Sequence, residues 1–416
     1  MQTESRRLTV FLASITALTS LSIDMSLPGI PALEHELHRT AGNGSLTLSL
    51  FLAGYAITPL VGGPLADRFG RRPILLISLL LFAISALACS FASNFSALLI
   101  FRLIQGCASG AATTLPLAIV RDLLTGSAAR KRMSEVTTIN SVMPLIAPIV
   151  GTWVMVRGSW RLIFGIQAVF AFVIVIVLLF DFTESSSPEQ RQCLHPVDVI
   201  QNYRRLLSNP TFMGYSIMYA LTFACMFSFI STSPLILMQR MHVQRSDYTL
   251  LFALIGTGTI LGSFFSAFLH GRKTSVHRIM TTGLTLMTVA AFAAYALQLA
   301  HIRRPSSILP FVFLIFLGFG LTGPTATMEA LEPVPQLAGS ASGVLRSILM
   351  VFGSGASAFL AGYCGRHFQR AEIATTLTMS VTALCAFLIY LLQLRGITGI
   401  IRNRRIMWFN KTAGLS

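Results

Sequence analysis

The chain has 416 residues, of which 54% are hydrophobic and only 11% are charged, and its mean hydropathy is +0.71. Soluble domains carry about 25% charged residues, so this composition excludes an ordinary soluble protein. The net charge of +16 would favour a nucleic-acid partner in a soluble chain. Here the basic residues lie between long apolar runs, where they indicate membrane topology and argue against nucleic acid.

Long apolar runs recur from Leu8 to Leu394, and a helix that crosses a hydrocarbon core needs roughly 20 mostly apolar residues. They predict an all-α integral membrane protein with twelve transmembrane helices in two pseudo-symmetric six-helix bundles. The predicted spans are 8–30, 46–66, 74–92, 96–120, 134–156, 160–181, 212–238, 248–270, 278–298, 308–330, 339–363 and 371–393.

The spans fall into two sets of six, which predicts four regions. These are an N-terminal bundle (1–181), a polar cytoplasmic linker (182–210), a C-terminal bundle (211–394) and a basic cytoplasmic tail (395–416). The halves also repeat faintly, because Gly70-Arg71-Arg72 matches Gly271-Arg272-Lys273 at an offset of 201 residues. Paired halves are typical of secondary transporters, whose substrate site lies between them near the midplane.

The basic residues predict the orientation. Of the 31, Arg102 and Arg346 lie well inside spans, and 20 of the others lie in or next to the loops on the side of both termini and the linker. Only nine lie on the other side: Arg39, Arg157, Arg161, Arg240, Arg245, Arg303, Arg304, Arg366 and Arg370. Because cytoplasmic loops collect Lys and Arg, both termini are expected in the cytoplasm of a multi-pass protein of the inner (plasma) membrane.

A loop motif between spans 2 and 3 reads Gly63-Pro64-Leu65-Ala66-Asp67-Arg68-Phe69-Gly70-Arg71-Arg72-Pro73. It resembles the loop motif of the major facilitator superfamily, and the resemblance implies that Gly63, Asp67, Arg68, Gly70, Arg71 and Arg72 form a conformational-switch loop. Gly63 would permit close helix approach, and Gly70 would permit a tight turn. Asp67 is expected to pair with nearby arginines or with a helix N-terminus in the other half.

Span 4 contains Arg102-Leu103-Ile104-Gln105-Gly106, which resembles the Arg-x-x-Gln-Gly pattern of the same superfamily. A guanidinium inside a membrane costs roughly 2.5 kcal/mol or more, so Arg102 and Gln105 are predicted to belong to a proton or substrate site. Gly106 and Gly110 lie four residues apart, a spacing that lets another helix approach closely. They are predicted packing positions.

Span 1 contains Leu21-Ser22-Ile23-Asp24-Met25-Ser26-Leu27-Pro28, a pattern that resembles the bicyclomycin-resistance (Bcr/CflA) group of drug–proton antiporters. Met226-Phe227-Ser228-Phe229 and Leu337-Ala338-Gly339-Ser340-Ala341-Ser342 are also similar to that group. The antiporter motif of the superfamily is a glycine-rich run around Gly-Pro-x-x-Gly-Gly. Span 5 departs from this motif, since Ala147 and Thr152 replace glycines while Pro148 and Gly151 remain. Pro148 and Gly151 are predicted to allow a kink and close packing.

Asp24 is the leading candidate for proton coupling. A carboxyl poised between apolar surroundings and a nearby cation, for which Arg102 is the expected partner, can bind and release a proton. The alternative is a structural, always ionised Asp near the outer end of span 1. Tyr55, Met143, Phe223 and Met226 are further candidates for the proton or substrate site.

Glu329, Glu332 and Arg346 form a candidate gate at the cytoplasmic ends of spans 10 and 11. The two glutamates lie three residues apart, on one face of a helix that Pro333 and Pro335 end. The alternative for them is a solvated helix end. Arg346 either joins a gate ion pair or extends its head group toward the cytoplasm.

These observations together predict proton-coupled efflux of small amphipathic compounds, drugs or metabolites, by a monomeric transporter that alternates access across the bilayer. An importer of a nutrient or nucleoside-like metabolite is the alternative on the same fold, and a transport-inactive sensor is a more distant one. No metal-ligand cluster, phosphate loop or nucleophile elbow is found in the sequence, so neither an enzyme nor a cofactor is expected. The scattered cysteines predict neither a disulfide framework nor a metal site.

The orientation yields a direct prediction. Topology-reporter fusions after Arg72 and after Leu394 are expected to report the cytoplasm, because both positions lie on the side rich in basic residues. A periplasmic signal from either fusion would contradict the twelve-helix topology.

Overall fold

The computed structural model describes residues 6–185, 196–302 and 304–394. Over these residues the chain is all helical, with twelve helices long and apolar enough to cross a membrane, which confirms the predicted fold class. Ten of the twelve are built on α1 (Arg6–Ile23), α3 (Leu46–Phe69), α4 (Arg71–Ser90), α5 (Phe95–Leu123), α6 (Gly126–Arg157), α7 (Trp160–Asp181), α9 (Pro210–Ser233), α10 (Arg245–Gly271), α11 (Val276–Leu299) and α12 (Pro305–Leu331). The last two are built on α13 (Ala338–Arg366) and α14 (Ala371–Ile389).

Span 1 is broken at the position of Asp24. After α1, a turn and a 3-10 segment (Leu27–Gly29) lead into the short helix α2 (Ile30–Glu36). Pro28 and Pro31 lack the amide hydrogen that would continue the helix. The hydroxyl of Ser26 donates to the carbonyls of Ser22 and Ile23 at 3.1 and 2.8 Å, which satisfies groups freed by the break.

The region predicted as a linker contains a helix that the sequence analysis did not predict, α8 (Pro196–Leu207). Leu206 is buried in the core of the second half, and the Tyr203 hydroxyl donates to the carbonyl of Leu60 on α3. Burial, and then the nearby charge of Asp67, raise the pKa of the Tyr203 hydroxyl, so it stays protonated as a donor. The predicted tail at 395–416 and the linker residues 186–195 lie outside the described residues.

Glycines bring paired helices into backbone contact inside each half. A Cβ at Gly106 of α5 would collide with the carbonyl of Phe51 on α3, and one at Gly110 would lie 2.7 Å from the carbonyl of Tyr55. In the second half, a Cβ at Gly320 of α12 would likewise collide with the carbonyl of Thr259 on α10. Spans 2 and 4 therefore pack as spans 8 and 10 do, in agreement with a repeated architecture.

The two halves meet mainly through α3 with α13 and α6 with α10. Smaller contacts join α13 to Asn43–Ser45, α10 to Leu27–Gly29, and α2 to the seven residues that follow α9 (Pro234–Arg240). The loop motif and α8 mark one side of the bundle, here named the motif face. The opposite side, which carries α2 and Pro234–Arg240, is named the far face. The hydrogen bonds between the halves concentrate toward the far face.

The backbone contact at Gly106 can be tested by adding a single methyl group. Gly106→Ala is expected to destabilise the protein by about 1–3 kcal/mol, the usual cost of overpacking, because the obstructing atom belongs to the backbone of Phe51 and cannot rotate away. The measurement is thermal unfolding of the detergent-purified protein. Gly355→Ala on α13 is the control, since a Cβ there meets no atom within 4 Å; equal melting of the two variants would contradict the packing role.

Candidate functional site

The loop motif is tied to its own half by a cluster of charges. Arg71 pairs with Asp67 at 2.5 Å and with Asp122 of α5 at 3.1 Å. The carboxylate of Glu184 accepts the backbone amides of Arg71 and Arg72 at 2.8 and 3.1 Å. Gly70, at φ +100°, forms the turn between α3 and α4. Arg68 stacks over its neighbour Phe69 at 5.2 Å.

A cavity of about 440 Å³ opens between the halves on the motif face. The mouth is formed by Asp67, Arg71, Arg121 and Asp122, and α8 contributes Tyr203. Deeper along their helices, the lining residues include Pro59 of α3, Thr113 of α5 and Arg346 of α13. A Cβ at Gly63 would meet nothing within 4 Å, so the close helix approach expected at Gly63 is absent in this open state.

Arg346 joins the two halves at the inner end of the cavity. Its Nη1 donates to the hydroxyl of Tyr55 on α3 at 3.0 Å, and that hydroxyl lies 2.8 Å from the hydroxyl of Thr113. The ion pairs among the described residues do not connect Arg346 with Glu329 or Glu332. The expected gate pair is therefore not formed, and Arg346 is held inside by Tyr55 rather than extended toward the motif face.

On the far face, small hydroxyl side chains seal the seam between α3 and α13. Ser49 lies 2.8 Å from the hydroxyl of Ser357, and Ser354 donates to the carbonyl of Ser49 at 2.8 Å. Ser45 donates to the carbonyl of Ser231 on α9 at 2.6 Å. Access to the space between the halves is therefore closed here while the motif face is open.

Glu34 adds a carboxylate to this seal, and sequence analysis missed it. One carboxylate oxygen accepts the amides of Gly42 and Gly44 at 2.8 and 2.6 Å, and the other accepts from Gln239 of the second half at 2.8 Å. Glu34 is 3% exposed. The Gly42-x-Gly44 pair was the available signal, since glycines often present backbone amides to an anion in this way.

Arg102 is the centre of a network within the first half. Fully buried, it donates to the carbonyls of Thr47 at 3.2 Å and Ser22 at 3.1 Å, and to Gln105 at 2.7 Å. Gln105 donates to Gln167 of α7 at 3.0 Å, which donates to the carbonyl of Leu21 at 3.0 Å. The network therefore joins spans 1, 2, 4 and 6.

Two aromatic rings complete the environment of Arg102. Its guanidinium lies 4.5 Å from the ring centroid of Phe51 and 5.5 Å from that of Phe164, which are cation–π distances. Arg102 makes no ion pair with Asp24, so the expected partnership of these two charges is not formed. Carbonyl oxygens of the neighbouring spans take the place of the carboxylate.

Asp24 lies at the break in span 1 and is only 6% exposed. Its carboxyl makes no hydrogen bond or ion pair to another described residue, while Tyr248 at the start of α10 is close enough for an electrostatic interaction. Asp24 does not line the cavity. It is therefore a buried carboxyl between the halves, on the sealed side.

The remaining candidates occupy different environments. Met226 is buried in the core, and Met143 is half-buried on α6. The ring of Phe223 stacks on that of Phe227 at a centroid distance of 5.6 Å and lies 6.1 Å from that of Phe319. None of Met143, Phe223 and Met226 lines the cavity. Glu329 and Glu332 lie near Tyr215 at the motif-face end of α12.

Two further packing positions lie on α6. A Cβ at Gly151 would collide with the carbonyl of Met25 in the broken part of span 1. Pro148 is buried on the same helix, which also contains Pro144. Span 5 therefore packs directly against the segment that carries Asp24.

Comparisons with known proteins agree with this architecture. The sequence model of the Major Facilitator Superfamily matches residues 12–358. The uncharacterized MFS-type transporter YdgK of Bacillus subtilis is 30% identical over 84% of this chain and 87% of its own. The multidrug resistance protein MdtL of Salmonella typhimurium is 30% identical over 85% of this chain and 87% of its own. These matches do not distinguish the bicyclomycin-resistance group, which stays a prediction.

Solved structures show the same fold at lower sequence identity. A bacterial homolog of the human lysosomal transporter Spinster, in an inward-facing and unoccupied conformation, aligns with a TM-score of 0.71 at 16% identity, covering 94% of this chain and 96% of its own. A D-xylose–proton symporter aligns with a TM-score of 0.68 at 16% identity, covering 92% and 98%.

The role of Glu34 in the far-face seal can be tested through a native thiol. Cys364 is buried beside Gly42. In a variant that retains only Cys364, Glu34→Ala is expected to speed its labelling by a membrane-impermeant maleimide, applied to the far face, roughly tenfold, because bonds to a charged acceptor are lost.

Glu36→Ala is the matched control for this experiment. Glu36 lies on the same short helix, and its partners among the described residues, Arg161 and Trp160, both belong to its own half. An unchanged labelling rate in Glu34→Ala, or an equal increase in both variants, would contradict the seal.

Proposed function

Because the chain belongs to the Major Facilitator Superfamily, as a multi-pass membrane transporter, we propose that it exports small amphipathic compounds, drugs or metabolites, across the bacterial inner membrane in exchange for protons. The observation that carries the proposal is the cavity between the halves, open on the motif face and sealed by Glu34 and serine contacts on the far face. Because both the opening and the seal lie between the halves, rocking of one half against the other exchanges them.

The distribution of basic residues supports a cytoplasmic motif face. In that orientation the structure represents the inward-open state, which is the state that takes up a compound to be exported. Arg121, at the mouth, belongs to the side that is rich in basic residues. The linker helix α8 then lies at the cytoplasmic surface beside the cavity.

The loop motif acts as the switch between the two states in this proposal. Asp67 is 41% exposed in its side chain and lines the cavity together with Gly339 at the start of α13. When the cytoplasmic side closes, the N-terminus of α13 approaches Asp67, and a carboxylate there is favoured by the helix dipole. Arg71, itself paired with Asp122, holds Asp67 ready for that contact.

Asp24 carries the proton. A buried carboxyl with no ionic partner among the described residues changes its protonation when its surroundings change. Asp24 lies on the sealed side, so opening of the far face would expose it to the outside, where protons are taken up. The difference in charge between the two states then biases the conformational equilibrium, as any ligand does that binds one state better.

The names of the MdtL relatives support export. Proton-coupled import of a nutrient is the alternative, because a D-xylose–proton symporter shares the fold. The direction of proton-driven accumulation distinguishes the two. The drug-resistance relatives at 30% identity favour export, whereas the shared fold favours neither direction of transport.

The proposal predicts the behaviour of Asp24→Asn, which keeps the size and hydrogen bonding of the side chain but cannot ionise. The measurement is uptake into inside-out vesicles of a compound selected by its lower accumulation in cells that express the protein. Wild type is expected to accumulate it when the vesicle interior is acidic and to lose that accumulation with an uncoupler. Asp24→Asn is expected to retain counterflow and to lose pH-driven accumulation.

Three other results of the vesicle experiment would change the proposal. Full pH-driven uptake by Asp24→Asn would remove Asp24 from coupling and direct attention to Glu329 or Glu332. Loss of counterflow as well would assign substrate binding or folding to Asp24. Accumulation by wild type only when the pH step is reversed would favour the importer.

A further inference from the structure

Arg346 combines a deep position with an accessible side chain. It is the ninth residue of α13, so it lies about 12 Å along the helix from the motif-face end. Despite this depth it is exposed, because it lines the cavity. A charged side chain inside a membrane-spanning bundle normally marks a site.

Within the described part of the chain, the charges around the cavity give Arg346 no acidic partner. The described acidic residues of the lining are Asp67 and Asp122 at the mouth, and both pair with Arg71. Arg346 donates only to the neutral hydroxyl of Tyr55 among the described residues. The inner end of the cavity is therefore positively charged.

The geometry leaves one edge of the guanidinium available. Nη1 is occupied by Tyr55, whereas Nε and Nη2 donate to no described residue. These two N–H groups are parallel donors that match the two oxygens of a carboxylate. Tyr55, itself held by Thr113, fixes the plane in which the free edge lies.

An aromatic surface lies next to this charge. Tyr219 interacts electrostatically with Arg346 and stacks on Phe319 with ring centroids 5.6 Å apart, and Phe223 lies against the same ring. Tyr219 and Phe223 are only partly buried. These rings do not line the cavity itself but lie beside Arg346, where the apolar body of a compound held by the guanidinium would meet them.

We propose that the substrates of this transporter are aromatic or apolar compounds with a single oxyanion group such as a carboxylate, which binds the free edge of Arg346. This assignment rests on the proposed function, in that it takes the cavity as the substrate site. A volume of about 440 Å³ is in the range of small-molecule sites. Cationic compounds are excluded from the inner end by the same charge.

The test is equilibrium binding to the purified full chain, with no gradient imposed. The probes are three matched sets, each a carboxylate, its amide and its amine, on naphthalene, indole and biphenyl. We expect the carboxylates to bind wild type best, and Arg346→Gln to weaken them by about tenfold to a hundredfold while leaving the amides unchanged. Arg346→Lys keeps the charge without the fork and is expected to be intermediate.

Arg278→Gln is the matched control, since Arg278 is exposed on α11 of the same half and is not part of the cavity lining. It is expected to bind all the probes as wild type does. A second measurement needs no variant: the carboxylate, but not the amide, is expected to protect Arg346 of wild type from phenylglyoxal, as read by mass spectrometry.

The proposal is overturned if no carboxylate binds wild type better than its amide, if the preference survives Arg346→Gln, or if Arg346 is not protected. These results do not depend on proton coupling or on direction. Failure of pH-driven transport with intact carboxylate binding would therefore overturn the proposed function alone, and the reverse result would overturn only the oxyanion assignment.

Discussion

The first half of the bundle depends on a positive charge that forms no ion pair with any described residue. Arg102 is buried among apolar spans, and carbonyl oxygens of Ser22 and Thr47, the amide of Gln105 and two aromatic rings replace the water it has lost. Each of these three oxygens belongs to a different helix, so the charge fixes the relative positions of spans 1, 2 and 4. The hydrogen bond between Gln105 and Gln167 connects span 6 to the same network. A buried charge is costly unless it is hydrogen-bonded, so moving these four spans apart would be unfavourable.

The proposed motion between the halves requires that each half keeps its internal packing. The contacts within each half involve backbone against backbone at glycines such as Gly106 and Gly320. Across the interface, apolar side chains of both halves share one core cluster, and side-chain hydrogen bonds such as Ser49 to Ser357 and Arg346 to Tyr55 add to it. A neutral hydrogen bond such as that of Ser49 with Ser357, exchanged for water, changes the free energy by only about 1 kcal/mol, so such bonds are exchanged at low cost when an interface opens.

Hydropathy predicted the twelve spans because a bilayer demands a minimum apolar length. It carried no information on which way a side chain points around its helix, so Asp24 and Arg102 were expected to pair when each has another environment. The helix α8 was missed because it is polar overall, although Leu206 and Tyr203 pack on the bundle. Glu34 was missed because it lies in a stretch that reads as a loop, and its partners are backbone amides that any sequence possesses. Gly70 and the glycines of span 4, in contrast, lie in contexts that only a residue without a Cβ tolerates.

The serine contacts between α3 and α13 have a consequence for insulation. Small side chains bring the two helices close enough for Ser354 to reach the backbone of Ser49 directly, and Ser45 likewise reaches the carbonyl of Ser231. Direct bonds of this kind hold the two helices together along the seam and so hinder a continuous file of water molecules, which would conduct protons. For the proposed proton-coupled carrier, this seam of hydroxyl groups would limit the leak of protons while the far face is closed.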